Sequence, residues 1–131
     1  VILGILAVTA APKFIDLTSD AKASVVEAVR GAVNSAADMA HAKALVAGKT
    51  GTGQAISVAG STINVNYGWP TNASIASLLE LDGDIVSAVS GSGATFTHAD
   101  ATVDANCQAL YNNAVTDAET RPTISSDVTD C

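Results

Sequence analysis

Val1-Ile-Leu-Gly-Ile-Leu-Ala-Val-Thr-Ala-Ala-Pro-Lys-Phe-Ile-Asp-Leu17 opens the chain and carries no charge before Lys13. Its continuation to about residue 47 keeps a helical period. Phe14, Leu17, Ala21, Val25, Ala28, Ala32, Ala36, Met39 and Ala40 recur at steps of three and four, the spacing of one helix face. Lys13, Asp16, Asp20, Lys22, Glu27, Arg30, Asp38 and Lys43 fall on the other side. Gly48 is a natural stop after a basic residue near the C-terminal end. Gly4 and Pro12 weaken the helix. Proline removes one backbone hydrogen bond and crowds a carbonyl one turn back, at about 3 kcal/mol, and Gly costs about 1 kcal/mol relative to Ala.

Length then sets a constraint. A helix running to residue 47 is about 70 Å long at 1.5 Å per residue. A compact chain of 131 residues has a radius of gyration of about 14 Å. Residues 1–25 are therefore expected to protrude as an apolar rod, with 26–131 forming a globular head. An uncovered apolar rod in water is untenable, so lipid or other copies of the chain must cover it. The uncharged run Val1–Pro12 is short of the about 20 residues that a bilayer span takes.

Beyond the helix the pattern changes. Gln54–Val58 and Thr62–Tyr67 alternate apolar and polar around Ala59-Gly60-Ser61, which reads as a hairpin. Gly68-Trp69-Pro70 ends the second strand. Thr71 or Asn72 is placed to cap a short helix through about Leu81. Asp82-Gly83-Asp84 reads as a turn and Ser90-Gly-Ser-Gly93 as a loop. Cys107–Asn112 and Thr123–Val128 are further strands, with Pro122 at the start of one. The expected fold class is α+β, a long N-terminal helix packed on an antiparallel sheet of about four strands.

The formal net charge of −7 is uneven. Through Lys49 five basic residues stand against four acidic ones. From Thr50 onward Arg121 faces nine acidic residues. No basic stripe for nucleic acid exists in that second part, so no nucleic-acid partner is expected. Cys107 and Cys131 are the two cysteines and form no CxxC. In a small domain they read as one disulfide, which implies an oxidising compartment and contributes roughly 3 kcal/mol. Two free buried thiols are the alternative.

Little points to catalysis. His41 and His98 lie in neither a GxSxG nor an HExxH setting. Asp82, Asp84, Asp100 and Asp104 are possible oxygen ligands for Ca²⁺, but Asp-Gly-Asp lacks EF-hand spacing, and acidic loops are usually just solvated. Gly51, Gly53, Gly91 and Gly93 form no phosphate loop. Asn72-Ala-Ser74 matches a glycosylation sequon, and a helix cap explains it without sugar. The aromatics Phe14, Phe96, Tyr67, Trp69 and Tyr111 are too scattered for a base-stacking platform. No enzyme, cofactor or metal is expected.

Val1–Leu17 closely resembles the N-terminal helix of bacterial type IV pilins, with Gly4 and Pro12 where that family has its helix-loosening residues. Pro12-Lys-Phe-Ile-Asp-Leu17, Gly68-Trp69-Pro70, and Cys107-Gln-Ala-Leu-Tyr111 closed by Cys131 resemble the mannose-sensitive haemagglutinin (MSHA) branch of the type IVa pilins, which more often has Tyr at the place of Trp69. The resemblance implies a pilin fold with a C-terminal disulfide loop. It also implies residues ahead of Val1, among them an acidic one used in assembly. It further implies processing by a prepilin peptidase, storage in the inner membrane, and polymerisation by the pilus assembly machinery into an extracellular helical homopolymer for attachment, motility or biofilm formation. Ile2, Leu3, Ile5, Leu6, Val8, Phe14 and Leu17 would pack the filament core, and Gly4 and Pro12 would let the helix unwind on assembly. A minor pilin or a type II secretion pseudopilin is the alternative, the latter relying more often on Ca²⁺ than on a disulfide. A carbohydrate-binding module stacking a sugar on Trp69 or Tyr111 is a further one.

Overall fold

A computed structural model describes residues 18–117 and 119–131. Within them the chain is α+β, one helix packed on antiparallel strands and closed by a disulfide. Helix α1 spans Thr18–Val46. It is rich in Ala, the best helix former, and Lys43 in its last turn complements the carbonyl end of the helix dipole. Gly48, at φ 70°, lies just past its end.

Among the described residues seven strands, rather than the expected four or so, form two sheets. β1 (Gln54–Val58), β2 (Ser61–Asn66) and β3 (Trp69–Pro70) make the first, in the order β1-β2-β3. β4 (Ile85–Ser90), β5 (Gly93–His98), β6 (Gln108–Asn112) and β7 (Thr123–Asp127) make the second, in the order β4-β5-β6-β7. All neighbours are antiparallel. The hairpin at Ala59-Gly60 and the strands beginning near 108 and 123 agree with the sequence reading.

Three local expectations change. Gly68-Trp69-Pro70 does not simply end a strand. Tyr67 (φ 52°) and Gly68 (φ 80°) make a tight turn, and Trp69 pairs back on Asn66 as β3. Two consecutive positive φ values are the signature of a two-residue hairpin turn. Ser90-Gly-Ser-Gly93 is the tip of the β4–β5 hairpin rather than a free loop. The helix expected to run to Leu81 is a single 3-10 turn, Ile75–Leu78, preceded by Ser74 with no side-chain cap. The Asn72 carboxamide serves elsewhere: its oxygen accepts the backbone N–H of Asn113 at 2.7 Å.

α1 packs across β3, β5, β6 and β7 and reaches β1. Its buried face is Val26, Val33, Ala36, Ala37, Ala40 and Ala44. Val26, Val33 and Ala37 meet Trp69, Ile75, Phe96 and Tyr111 in the main core, which the disulfide closes. Ala40 and Ala44 meet Ile56, Ile63 and Val65 in a smaller one. Burying a Val, Ile or Phe side chain contributes about 1.5–3 kcal/mol, so the large residues come from the strands, and small Ala lets the helix backbone approach them.

Candidate functional site

The helix carries more apolar surface than its own sheets cover. Periodicity places Ala21, Val25, Ala28, Ala32 and Met39 on one apolar helix face, together with Ala36 and Ala40. The structure turns the first five outward: all are exposed, Met39 at 72%. Only Ala36 and Ala40 are shared between the two faces. An Ala-rich helix has apolar residues on several adjacent stripes, so periodicity alone does not select the one that meets the strands.

The outward stripe is the floor of an open groove of about 790 Å³. Val25, Ala28, Ala32 and Met39 lie along it, with Val58 on the β1 side and Leu79 on the side of the 78–82 segment. Charge appears only at the rim, as Lys43, Glu80 and Asp82. The floor runs from Val25 to Lys43, about 27 Å at 1.5 Å per residue. A small-molecule pocket of this size normally has a few convergent polar groups that fix a ligand. Among the helix residues of this lining only Ser35 and Lys43 are polar.

A polar cluster lies on a different side of α1. Arg121, from the loop before β7, bonds Asp38 at 2.8 Å and donates to the Asn34 side-chain oxygen at 2.9 Å. Its guanidinium also sits 5.0 Å from the centre of the Trp69 ring. His41, one further turn along, stacks on Trp69, and its Nδ1 lies 2.8 Å from the Gly68 carbonyl. The cluster ties the C-terminal loop to the helix. Nothing in it resembles a nucleophile with its base.

The aromatics proposed for sugar stacking are inside. Trp69 is buried at 3% exposure. Tyr111 is fully buried, its hydroxyl donates to the Pro70 carbonyl at 2.7 Å, and burial drives its pKa far above the usual range while Arg121 opposes the rise. Neither ring face is open to a saccharide. His98 ends β5 as a buried residue, where its Nδ1 accepts the Asp100 N–H at 3.1 Å. Among the described residues no three His, Cys, Asp or Glu come together in a metal-binding arrangement. No described helix is long and apolar enough to cross a membrane.

Cys107 and Cys131 are bonded to each other, with Cα atoms 4.8 Å apart. The Asn106 side chain donates to Asp130 at 2.6 Å alongside the bridge. Gly4 and Pro12, and the expected filament-core residues Ile2, Leu3, Ile5, Leu6, Val8, Phe14 and Leu17, lie outside the described residues. The chain matches no family model, no curated protein and no solved structure.

Proposed function

We propose that this chain is the structural subunit of an extracellular filament of the type IV pilus kind, of MSHA-type sequence. The observation that carries the reading is the second apolar stripe of α1, left open from Val25 to Met39 above a groove. In the sequence that stripe continues through Leu17 and Phe14 toward the uncharged run Val1–Pro12. A helix with one long uncovered apolar side is stable when the helices of neighbouring copies cover it. A groove on one copy filled by a different surface of the next is a heterologous contact, which propagates as an open helix rather than closing on itself.

In this reading residues 1 to about 25 serve the inner membrane before assembly and the filament core afterwards, and Gly4 and Pro12 loosen that segment. The test is electron microscopy of filaments sheared from cells that express the chain, with mass spectrometry of the subunit. Filaments composed mainly of this chain are expected. Its presence only in trace amounts would point to a minor subunit, and its absence from any filament would overturn the reading.

A further inference from the structure

The outer strand of the four-stranded sheet has an edge that pairs with nothing among the described residues. Two bonds define which way the backbone of β4 points. Ala99 N donates to Asp84 O at 2.8 Å, and His98 N donates to Cys107 O at 3.2 Å. With the observed register, the pairs Val86–Thr97, Ala88–Thr95 and Ser90–Gly93 are then the hydrogen-bonded ones between β4 and β5. The N–H and C=O groups of Ile85, Ser87 and Val89 therefore point away from the sheet. Ile85 N donates to Asp82 O at 3.3 Å. Among the described residues the outward groups of Ser87 and Val89 meet no partner.

Proteins usually blunt such an edge with charge, proline or a bulge. Ile85-Val-Ser-Ala-Val-Ser90 has no charge and no proline, and its pairing with β5 is continuous. Every residue of the strand except Ile85 is exposed, Val86 at 55% and Val89 at 54%.

The strand is complementary to itself. Laid antiparallel about Ser87, it sets Ile85 against Val89, Val86 against Ala88, and Ser87 against its own copy. Each apolar residue meets an apolar one, the cross-strand pairing that stabilises sheets. The same register brings the three outward-pointing residues face to face: Ser87 exchanges both bonds with its own copy and Val89 N–H reaches the partner's Ile85 carbonyl, while Ile85 N–H stays on Asp82. A register centred on Val86 or Ala88 would face only two of the three within the strand, Ile85 with Ser87 or Ser87 with Val89, and leave the third opposite a residue outside it. Charge agrees: Asp82 and Asp84 precede β4, and in the antiparallel pair they lie beside the partner's uncharged Ser90-Gly-Ser92 tip. The two acidic ends are then about 20 Å apart at 3.3 Å per residue, beyond the Debye length of about 8 Å in physiological salt.

We propose that β4 is a self-pairing edge, through which two copies of this chain join antiparallel about Ser87 and continue one four-stranded sheet into the other. A six-residue edge buries less than the about 1,000 Å² expected of a stable interface, so the pairing is weak between single copies and strengthens where copies are arrayed. It does not rest on the filament reading, since it uses the β4 edge rather than the α1 stripe.

The experiment takes the full chain in mild detergent and oxidises single-cysteine variants. Hydrogen-bonded antiparallel partners have Cα atoms about 5.5 Å apart, within disulfide reach. Ser87→Cys is expected to give a disulfide-linked dimer on a non-reducing gel. Ala88→Cys and Ser90→Cys, each offset from its own copy beyond the reach of about 7 Å, are expected to stay monomeric. Adding Val89→Lys to Ser87→Cys should abolish the dimer. Equal cross-linking at all three positions, none at Ser87→Cys, or no effect of Val89→Lys would each overturn the proposal. Sedimentation of the unmodified chain against Val89→Lys gives a second reading without a new cysteine: a concentration-dependent shift toward twice the mass is expected for the former only, and identical behaviour counts against the pairing. Filament formation is scored separately by microscopy, so the two readings fail independently.

Discussion

The imidazole of His41 lies flat against the indole of Trp69, with ring centroids 3.8 Å apart and planes within 3°. His41 comes from α1 and Trp69 from β3, and the Gly68 carbonyl is 2.8 Å from His41 Nδ1. The contact locks the first sheet onto the helix. His41→Ala removes a ring stack of about 0.5–1.5 kcal/mol and a hydrogen bond of about 1 kcal/mol. A loss of about 1–2 kcal/mol in urea unfolding is expected. Trp69 is the one tryptophan in the chain, so its fluorescence reports the site directly.

Reduction of Cys107–Cys131 should be felt by the whole head. The bridge joins residues 24 apart, and releasing a loop of that length costs about 3 kcal/mol in the chain-entropy model. Cys107→Ser with Cys131→Ser is expected to lower the unfolding midpoint by a matching amount. Thermal melts with and without reductant check it, and the double variant should no longer respond to reductant.

Gly93 meets a close backbone approach. Its φ is +130°, and a Cβ there would strike the Tyr111 carbonyl oxygen of the neighbouring strand. Gly93→Ala is expected to destabilise by more than about 2 kcal/mol, from backbone strain plus overpacking. Gly91→Ala, where an added Cβ meets nothing within 4 Å, is the control and should stay near the parent in chemical denaturation.

Charge in the groove separates assembly from folding. Met39 is 72% exposed, so Met39→Lys should change head stability by no more than about 0.5 kcal/mol. Under the filament reading it places a desolvated charge between copies, and filament yield should collapse. Normal filaments from Met39→Lys, counted by electron microscopy, would argue against packing through this stripe.

Stability should fall at both pH extremes for different reasons. Burial raises the Tyr111 pKa above its ordinary 10.0, opposed by Arg121. That contribution is complete below pH 10 and is lost as pH rises and the unfolded tyrosine ionises. Thr129, through its hydroxyl and then its N–H, lowers the Asp127 pKa from 3.8. The Thr120 hydroxyl, followed by the N–H groups of Glu119 and Thr120, lowers that of Asp117. Those contributions are present above pH 3.8 and lost as pH falls through the lowered values. Tyr111→Phe should flatten the alkaline side, and Asp127→Asn the acid side, of a plot of unfolding midpoint against pH.

The sequence by itself determined the local features. Gly48 past the end of α1, the Ala59-Gly60 hairpin and the strands near Gln108 and Thr123 follow from period and turn chemistry, which act over a few residues. The Cys107–Cys131 bridge was readable because only two cysteines exist. The β4–β5 hairpin escaped notice because Ser90-Gly-Ser-Gly93 has the composition of a loop, and only pairing of β5 with β6 makes its strands worthwhile. Which side of α1 turns inward was a tertiary decision. The stripes through Val26 and through Val25 are both apolar, so helical period leaves them nearly equivalent. Trp69, Ile75, Phe96 and Tyr111 come from four distant segments and meet only in the fold, and they cover the stripe through Val26, Val33 and Ala37. The stripe through Val25, Ala28, Ala32 and Met39 stays open because, among the described residues, no second set of large side chains is placed over it.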